Sequence, residues 1–93
     1  MDLKLKNKTV FVSGSSKGIG FETAKLFLEE GATVIINGRT EESVKNALKK
    51  LNTHKVTGIA ADFIEDKQID ELIKKLPDID ILVNNVGIFR GKN

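Results

Sequence analysis

The chain has 93 residues, 40% hydrophobic and 30% charged, with a formal net charge of +2. That is enough for one folded domain but not two, and too weakly basic to point to a nucleic acid or a membrane surface. Cysteine is absent, which excludes disulfides, thiolate catalysis and cysteine-ligated metals. No apolar block follows the opening Met1-Asp2-Leu3-Lys4-Leu5-Lys6, and no apolar run approaches the ~18 residues of a membrane span, so the expected location is cytoplasmic.

Two periodicities alternate along the chain. Thr9-Val10-Phe11-Val12-Ser13 is a short β-branched and aromatic run ending in a glycine-rich loop. From Gly20 the pattern turns helical, with Ala24, Phe27 and Leu28 on one side and Glu22, Lys25, Glu29 and Glu30 mostly outside, and Gly31 is placed to end it. Thr33-Val34-Ile35-Ile36 reads as a second strand, broken by Asn37-Gly38. Thr40 is an N-cap for a helix through Leu51, because Val44, Leu48 and Leu51 recur at helical spacing. Val56 to Ala61 reads as a third strand. Ile69, Leu72, Ile73 and Leu76 form a third helical stripe closed by Pro77, and Asp80 to Asn84 is the fourth strand. Strands that are apolar on both faces and joined by helices predict a parallel sheet covered on both sides. Right-handed crossovers then favour an α/β, Rossmann-type three-layer sandwich with a four-stranded sheet in order 3-2-1-4.

The loop Val12 to Gly20, VSGSSKGIG, carries Gly14, Gly18 and Gly20 between a strand and a helix. In a Rossmann unit one glycine permits the tight turn and another lets backbone approach a pyrophosphate. The last allows close packing of helix on strand, and the helix N-terminus supplies amide donors and a partial positive charge. The spacing G-x-x-x-G-x-G differs from the commoner G-x-G-x-x-G. A glycine triplet alone is weak evidence, since turns need glycine for steric reasons, but between a strand and a helix of a βαβ unit it favours nucleotide binding.

At Ser13-Gly14-Ser15-Ser16-Lys17-Gly18-Ile19-Gly20 the sequence resembles the cofactor loop of the short-chain dehydrogenases/reductases, whose pattern is T-G-x-x-x-G-x-G. Asn84-Asn85-Val86-Gly87 resembles the N-N-A-G motif that follows the family's fourth strand, and Asp62 matches its aspartate near the adenine ring. The resemblance runs from about Leu5 to Gly87, with Ser13 in place of threonine and Val86 in place of alanine. It implies a dinucleotide site built from Gly14, Ser16, Lys17, Gly18, Ile19, Gly20, Arg39, Asp62, Asn84, Val86 and Gly87, with no metal. Read from residue type alone, Asn84 and Asn85 equally suit a strand end followed by a turn, and Asp62 an exposed strand terminus. His54 stands alone and reads as a solvated loop residue, and Leu3 and Leu5 as a flap over the sheet.

NAD-specific Rossmann sites place an acid about 20 residues after the loop, at the end of the second strand, to hold the ribose 2′-hydroxyl. Here that slot holds Gly38, followed by Arg39. A carboxylate there would repel a 2′-phosphate by roughly 4 kcal/mol at ~4 Å near a protein surface, whereas Arg39 offers it a planar fork of donors. Lys17 resembles the second basic residue of the family's NADP-preferring members. Each alone also reads as a solvated charge; together, with the acid missing, they predict NADP(H) over NAD(H).

The family's chemistry requires a tyrosine as general acid/base, a lysine four residues later, a serine and a further asparagine, all beyond the fourth strand. This chain contains no tyrosine. The expectation is thus residues 1–93 as the N-terminal cofactor-binding half-domain of an oxidoreductase, truncated before the catalytic segment and not catalytic alone. Two alternatives are a split enzyme completed by a second chain and a non-catalytic nucleotide-sensing or interaction module. An open fourth strand and an under-covered sheet face also predict self-association or a partner chain.

Overall fold

Strand β1, Thr9–Val12, is the innermost element because its side chains must be apolar in both directions: Val10, Phe11 and Val12 are all fully buried. The computed structural model describes residues 5–62, 66–76 and 78–85. After β1 come α1 (Gly18–Glu29), β2 (Thr33–Gly38), α2 (Glu41–Leu51), β3 (Val56–Ala60), α3 (Asp66–Ile73) and β4 (Ile81–Val83). The sheet order is β3-β2-β1-β4, with every pair parallel. The α/β architecture and strand order expected from the apolar runs are both present.

Strand parity sorts the core into two faces. Val10, Val12, Val34 and Ile36 point to one side, where Ala24 of α1 and Val44 and Ala47 of α2 cover them. Gly58 lies beneath α2, and a Cβ there would collide with Val44 Cγ1, so the missing side chain is what lets α2 settle on β3. Leu5 joins this cluster, as a flap over the sheet would; Leu3 lies outside the described residues. Phe11 and Ile35 point to the other side, where Leu72 and Ile73 of α3 and the following Leu76 pack on them.

Helix ends follow the sequence signals. Gly31 adopts φ +95°, its N–H donates to the Leu28 carbonyl at 3.1 Å, and the Ala32 N–H donates to the Phe27 carbonyl at 3.1 Å. This paired arrangement satisfies the last carbonyls of α1. Thr40 Oγ1 accepts from the Ser43 N–H at 3.1 Å, capping α2 as expected.

Several boundaries differ from expectation: β1 and β3 each end one residue early, at Val12 and Ala60, and β4 is Ile81–Val83 rather than Asp80 to Asn84. Helix α1 begins at Gly18 rather than Gly20. Helix α3 ends at Ile73, beyond which the Lys75 and Leu76 amides donate to Leu72 and Ile73 in tight turns; Pro77 and the side chain of Ile69 lie outside the described residues. Most consequential, β2 continues through Asn37 and Gly38 instead of breaking there. Asn37 is held in the central sheet because every polar group it buries finds a partner.

Candidate functional site

The C-terminal ends of the parallel strands carry the loops, and a cleft of about 830 Å³ opens there. In open α/β sheets this is the edge where ligands bind, at the point where strand order reverses. The reversal falls between β1, from which the chain runs outward to β2 and β3, and β4 on its other side.

The glycine loop forms the floor. Ser15 is fully buried; its hydroxyl donates to the Val12 carbonyl at 2.6 Å and accepts from the Asn37 N–H at 2.8 Å. The Ser15 N–H donates to the Asn37 carbonyl at 2.7 Å. Gly14 takes φ +56°, a conformation open to glycine. Its N–H donates to Asn37 Oδ1 at 2.9 Å, and its carbonyl accepts from Asn85 Nδ2 at 3.2 Å. Gly20 packs behind the loop: a Cβ there would collide with the Gly14 carbonyl oxygen and stand 2.8 Å from Asn85 Nδ2. Ser13 ties the loop to the end of β4, its hydroxyl donating to Asn84 Oδ1 at 3.2 Å and accepting from the Asn85 N–H at 2.9 Å.

The two helices that meet the cleft are built differently at their N-termini. Helix α2 has the Thr40 cap and Glu41 and Glu42 in its first turn. At α1 the N-cap position is Lys17, which makes no side-chain cap, and the first turn holds no acid. Its leading amides and partial positive charge are directed at the cleft, an arrangement that suits an anion. Ile19 stands beside them at 64% exposure, adding an apolar contact.

Most of the residues singled out from the sequence meet here. Gly14, Ser16, Lys17, Gly18, Ile19, Arg39 and Asp62 all line the cleft, with Lys17, Arg39 and Asp62 exposed. Asn84 is exposed and outside the lining, whereas its neighbour Asn85 is buried and contributes to it. Val86 and Gly87 lie outside the described residues. His54 is exposed in a loop away from the cleft. Among the described residues no group of His, Asp or Glu could hold a metal ion, and no helix is long and apolar enough to cross a membrane.

Sequence reasoning missed Asn37, Ser15 and Ser43. The available signal for Asn37 was an amide in a strand whose other central residues are all apolar, since a buried amide requires partners. Gly38 follows it at the base of the cleft. A Cβ there would stand 2.7 Å from Ser43 Oγ and 2.9 Å from Ser16 Cβ, so a side chain at this position would crowd the Ser43 and Ser16 side chains.

A second cleft, about 400 Å³, lies between α1 and α2 over Phe21, Leu28 and Leu51. It is framed by helix side chains and lacks the backbone donors that distinguish the first.

Comparisons with known proteins agree with this geometry. The short chain dehydrogenase family profile matches residues 8–93. The chain is 46% identical over 97 residues to the uncharacterized oxidoreductase YvrD of Bacillus subtilis, covering all of this chain and 37% of that protein. Among solved structures, L-sorbose reductase of Gluconobacter frateurii, complexed with NADPH and L-sorbose, superposes with a TM-score of 0.78 at 29% identity, covering 91% of this chain and 35% of that one. The NADP complex of Pseudomonas aeruginosa RhlG superposes at 0.73 with 31% identity, over 87% of this chain and 35% of that one. The chain thus spans little more than a third of the length of these relatives. With strand order, glycine loop and family profile in agreement, the chain belongs to the short chain dehydrogenase family.

Proposed function

We propose that this chain is an NADP(H)-binding half-domain, the cofactor-holding portion of an oxidoreductase that moves a hydride between the dinucleotide and a carbonyl or alcohol carbon. The residues present suit the group. Of the residues that line the cleft, the α1 amides and the glycine loop would hold a pyrophosphate, Asp62 and Ala61 would border the adenine, and Ser16, Lys17 and Arg39 would hold a 2′-phosphate. When bound, the nicotinamide ring supplies or accepts the hydride. This chain's residues bind and orient it; with no tyrosine among the 93 residues, the proton-transfer groups of the family are assigned to another segment or chain.

One observation carries the preference for NADP(H). The slot where an NAD-specific site needs a carboxylate is Gly38, which has none, and a side chain there would crowd Ser16 and Ser43. Arg39, the next residue, is exposed in the same cleft and free to pair with a phosphate. The NADPH and NADP bound to the two structural relatives support the same reading.

Calorimetric titration with NADPH and NADH tests it. A charge-assisted hydrogen bond contributes about 1.5–3 kcal/mol, so NADPH is expected to bind at least about tenfold more tightly. Arg39→Asp should abolish the difference. Equal affinities in the unaltered chain, or a preference that survives Arg39→Asp, would overturn the assignment.

A further inference from the structure

Asn37 is 2% exposed, and it bonds to three separate parts of the fold. Its Oδ1 accepts from the Gly14 N–H at 2.9 Å. Its Nδ2 donates to the Ile59 carbonyl at 3.1 Å and to the Ala61 carbonyl at 3.2 Å, on and just beyond β3. Its backbone exchanges two bonds with Ser15, one in each direction. On the opposite side of the loop, Asn85 Nδ2 donates to the Gly14 carbonyl at 3.2 Å. The two peptide groups that flank the Gly14 Cα are therefore gripped from opposite sides by two asparagine side chains, one from β2 and one from the end of β4.

We infer that Asn37 is a positioning residue for the dinucleotide: by holding the Gly14 amide and bracing itself on β3, it fixes the glycine loop in the shape that accepts the pyrophosphate. The inference rests on the cofactor reading proposed above. The side chain divides its two ends between tasks. Its acceptor sets the loop, while its two donors lock the side-chain orientation against carbonyls that would otherwise be buried beside Ala61 and Asp62. No apolar residue of similar size offers either end. A hydroxyl is too short to serve the loop and β3 at once. With the grip released, Gly14 regains the wide backbone freedom of glycine, and only a fraction of the molecules hold the loop ready for ligand; apparent affinity falls by that fraction.

The test pairs Asn37→Ala with Val34→Ala, a substitution at the far end of the same strand whose side chain is fully buried in the first-face core, away from the cleft. Both variants are expected to lower the melting temperature. Only Asn37→Ala should weaken NADPH binding, by about tenfold, the loss expected when the competent population drops to roughly a tenth. Only Asn37→Ala should also speed exchange of the Gly14 amide proton, by about tenfold or more, as followed by NMR without ligand. Affinity within twofold of the unaltered chain, or a Gly14 amide equally protected in both variants, would overturn the inference, as would an equal affinity loss in Val34→Ala. Should Asn37→Ala fail to fold, the unaltered chain decides: a Gly14 amide exchanging at the free-peptide rate overturns the grip, and slow exchange with a scalar coupling to the Asn37 side-chain carbonyl supports it. If the unaltered chain binds no dinucleotide, the cofactor reading and this inference fall together; the Gly14 exchange rates still report whether the grip exists without a ligand to serve.

Discussion

Gly20 shows how little room the site leaves at the level of single atoms. Its missing side chain is what brings the start of α1 against the Gly14 carbonyl, Ser15 Cα and Asn85 Nδ2. Gly20→Ala would force a methyl group against the Gly14 carbonyl and Ser15 Cα, a clash that turning the Asn85 side chain aside would not relieve. Overpacking of this kind costs about 1–3 kcal/mol, and here relief can come only from moving the loop away from the helix. Gly20→Ala is therefore expected to lower the urea midpoint and to weaken dinucleotide binding together. A midpoint equal to that of the unaltered chain would show that α1 stands farther from the loop than described. Gly38 is crowded too, but by the Ser16 and Ser43 side chains, so a substitution there should disturb binding more than stability.

At the scale of elements, the contrast between the two helix starts gives a second expectation. Thr40→Ala removes the only described side-chain cap of α2, the bond from Ser43 N–H to Thr40 Oγ1. The loss should be about 1 kcal/mol, read as a shift in the urea midpoint with an unchanged slope. Helix α1 has no such cap to lose, so Lys17→Ala should leave stability within ~0.5 kcal/mol, the range of surface substitutions. The same contrast explains what was legible in the sequence. The cap of α2, the glycine stop of α1 and the four apolar runs are local signals, and each stands where its residues placed it. The break read at Asn37-Gly38 was wrong because its resolution is not local: Asn37 remains in the strand through carbonyls of Ile59 and Ala61 and an amide of Gly14, all more than 20 positions away. The glycine loop was found from its spacing. Asn85 was marked by the motif it shares with Asn84, but the hold that Asn37 and the Ser15 hydroxyl exert on the loop carries no spacing signal and emerges only when the strands are assembled.

For the whole molecule, the open edge of the sheet is the feature with a consequence for assembly. Among the described residues, ten buried apolar residues build the cluster beneath α1 and α2, and two, Phe11 and Ile35, are buried on the α3 side. On β4, whose only strand partner among the described residues is β1, Leu82 remains 43% exposed. An open strand edge that carries an exposed apolar side chain is a template for pairing with another chain. The 93-residue chain is expected to self-associate through this side, with a sedimentation coefficient that rises with concentration. Leu82→Lys should return it to a monomer, because an edge charge opposes strand addition. A chain that stays monomeric across a wide concentration range, with a cooperative melt, would show that this side is covered in another way.

The pairing of β1 with β4 also orders events in time. Thr9 and Asp80 exchange two bonds across 71 positions, the Thr9 N–H donating to Asp80 Oδ2 at 2.8 Å and the Asp80 N–H donating to the Thr9 carbonyl at 2.9 Å. Closing that span is about three times the reach needed to pair β1 with β2, an added entropic cost of about 1 kcal/mol. It also awaits synthesis of nearly the whole segment. Strands β1, β2 and β3 can assemble as the chain leaves the ribosome, and the Asn37 side of the loop with them. The Asn85 side forms only when β4 docks. During synthesis, the cleft proposed for the dinucleotide would be assembled only once β4 docks, later than the core built by β1, β2 and β3.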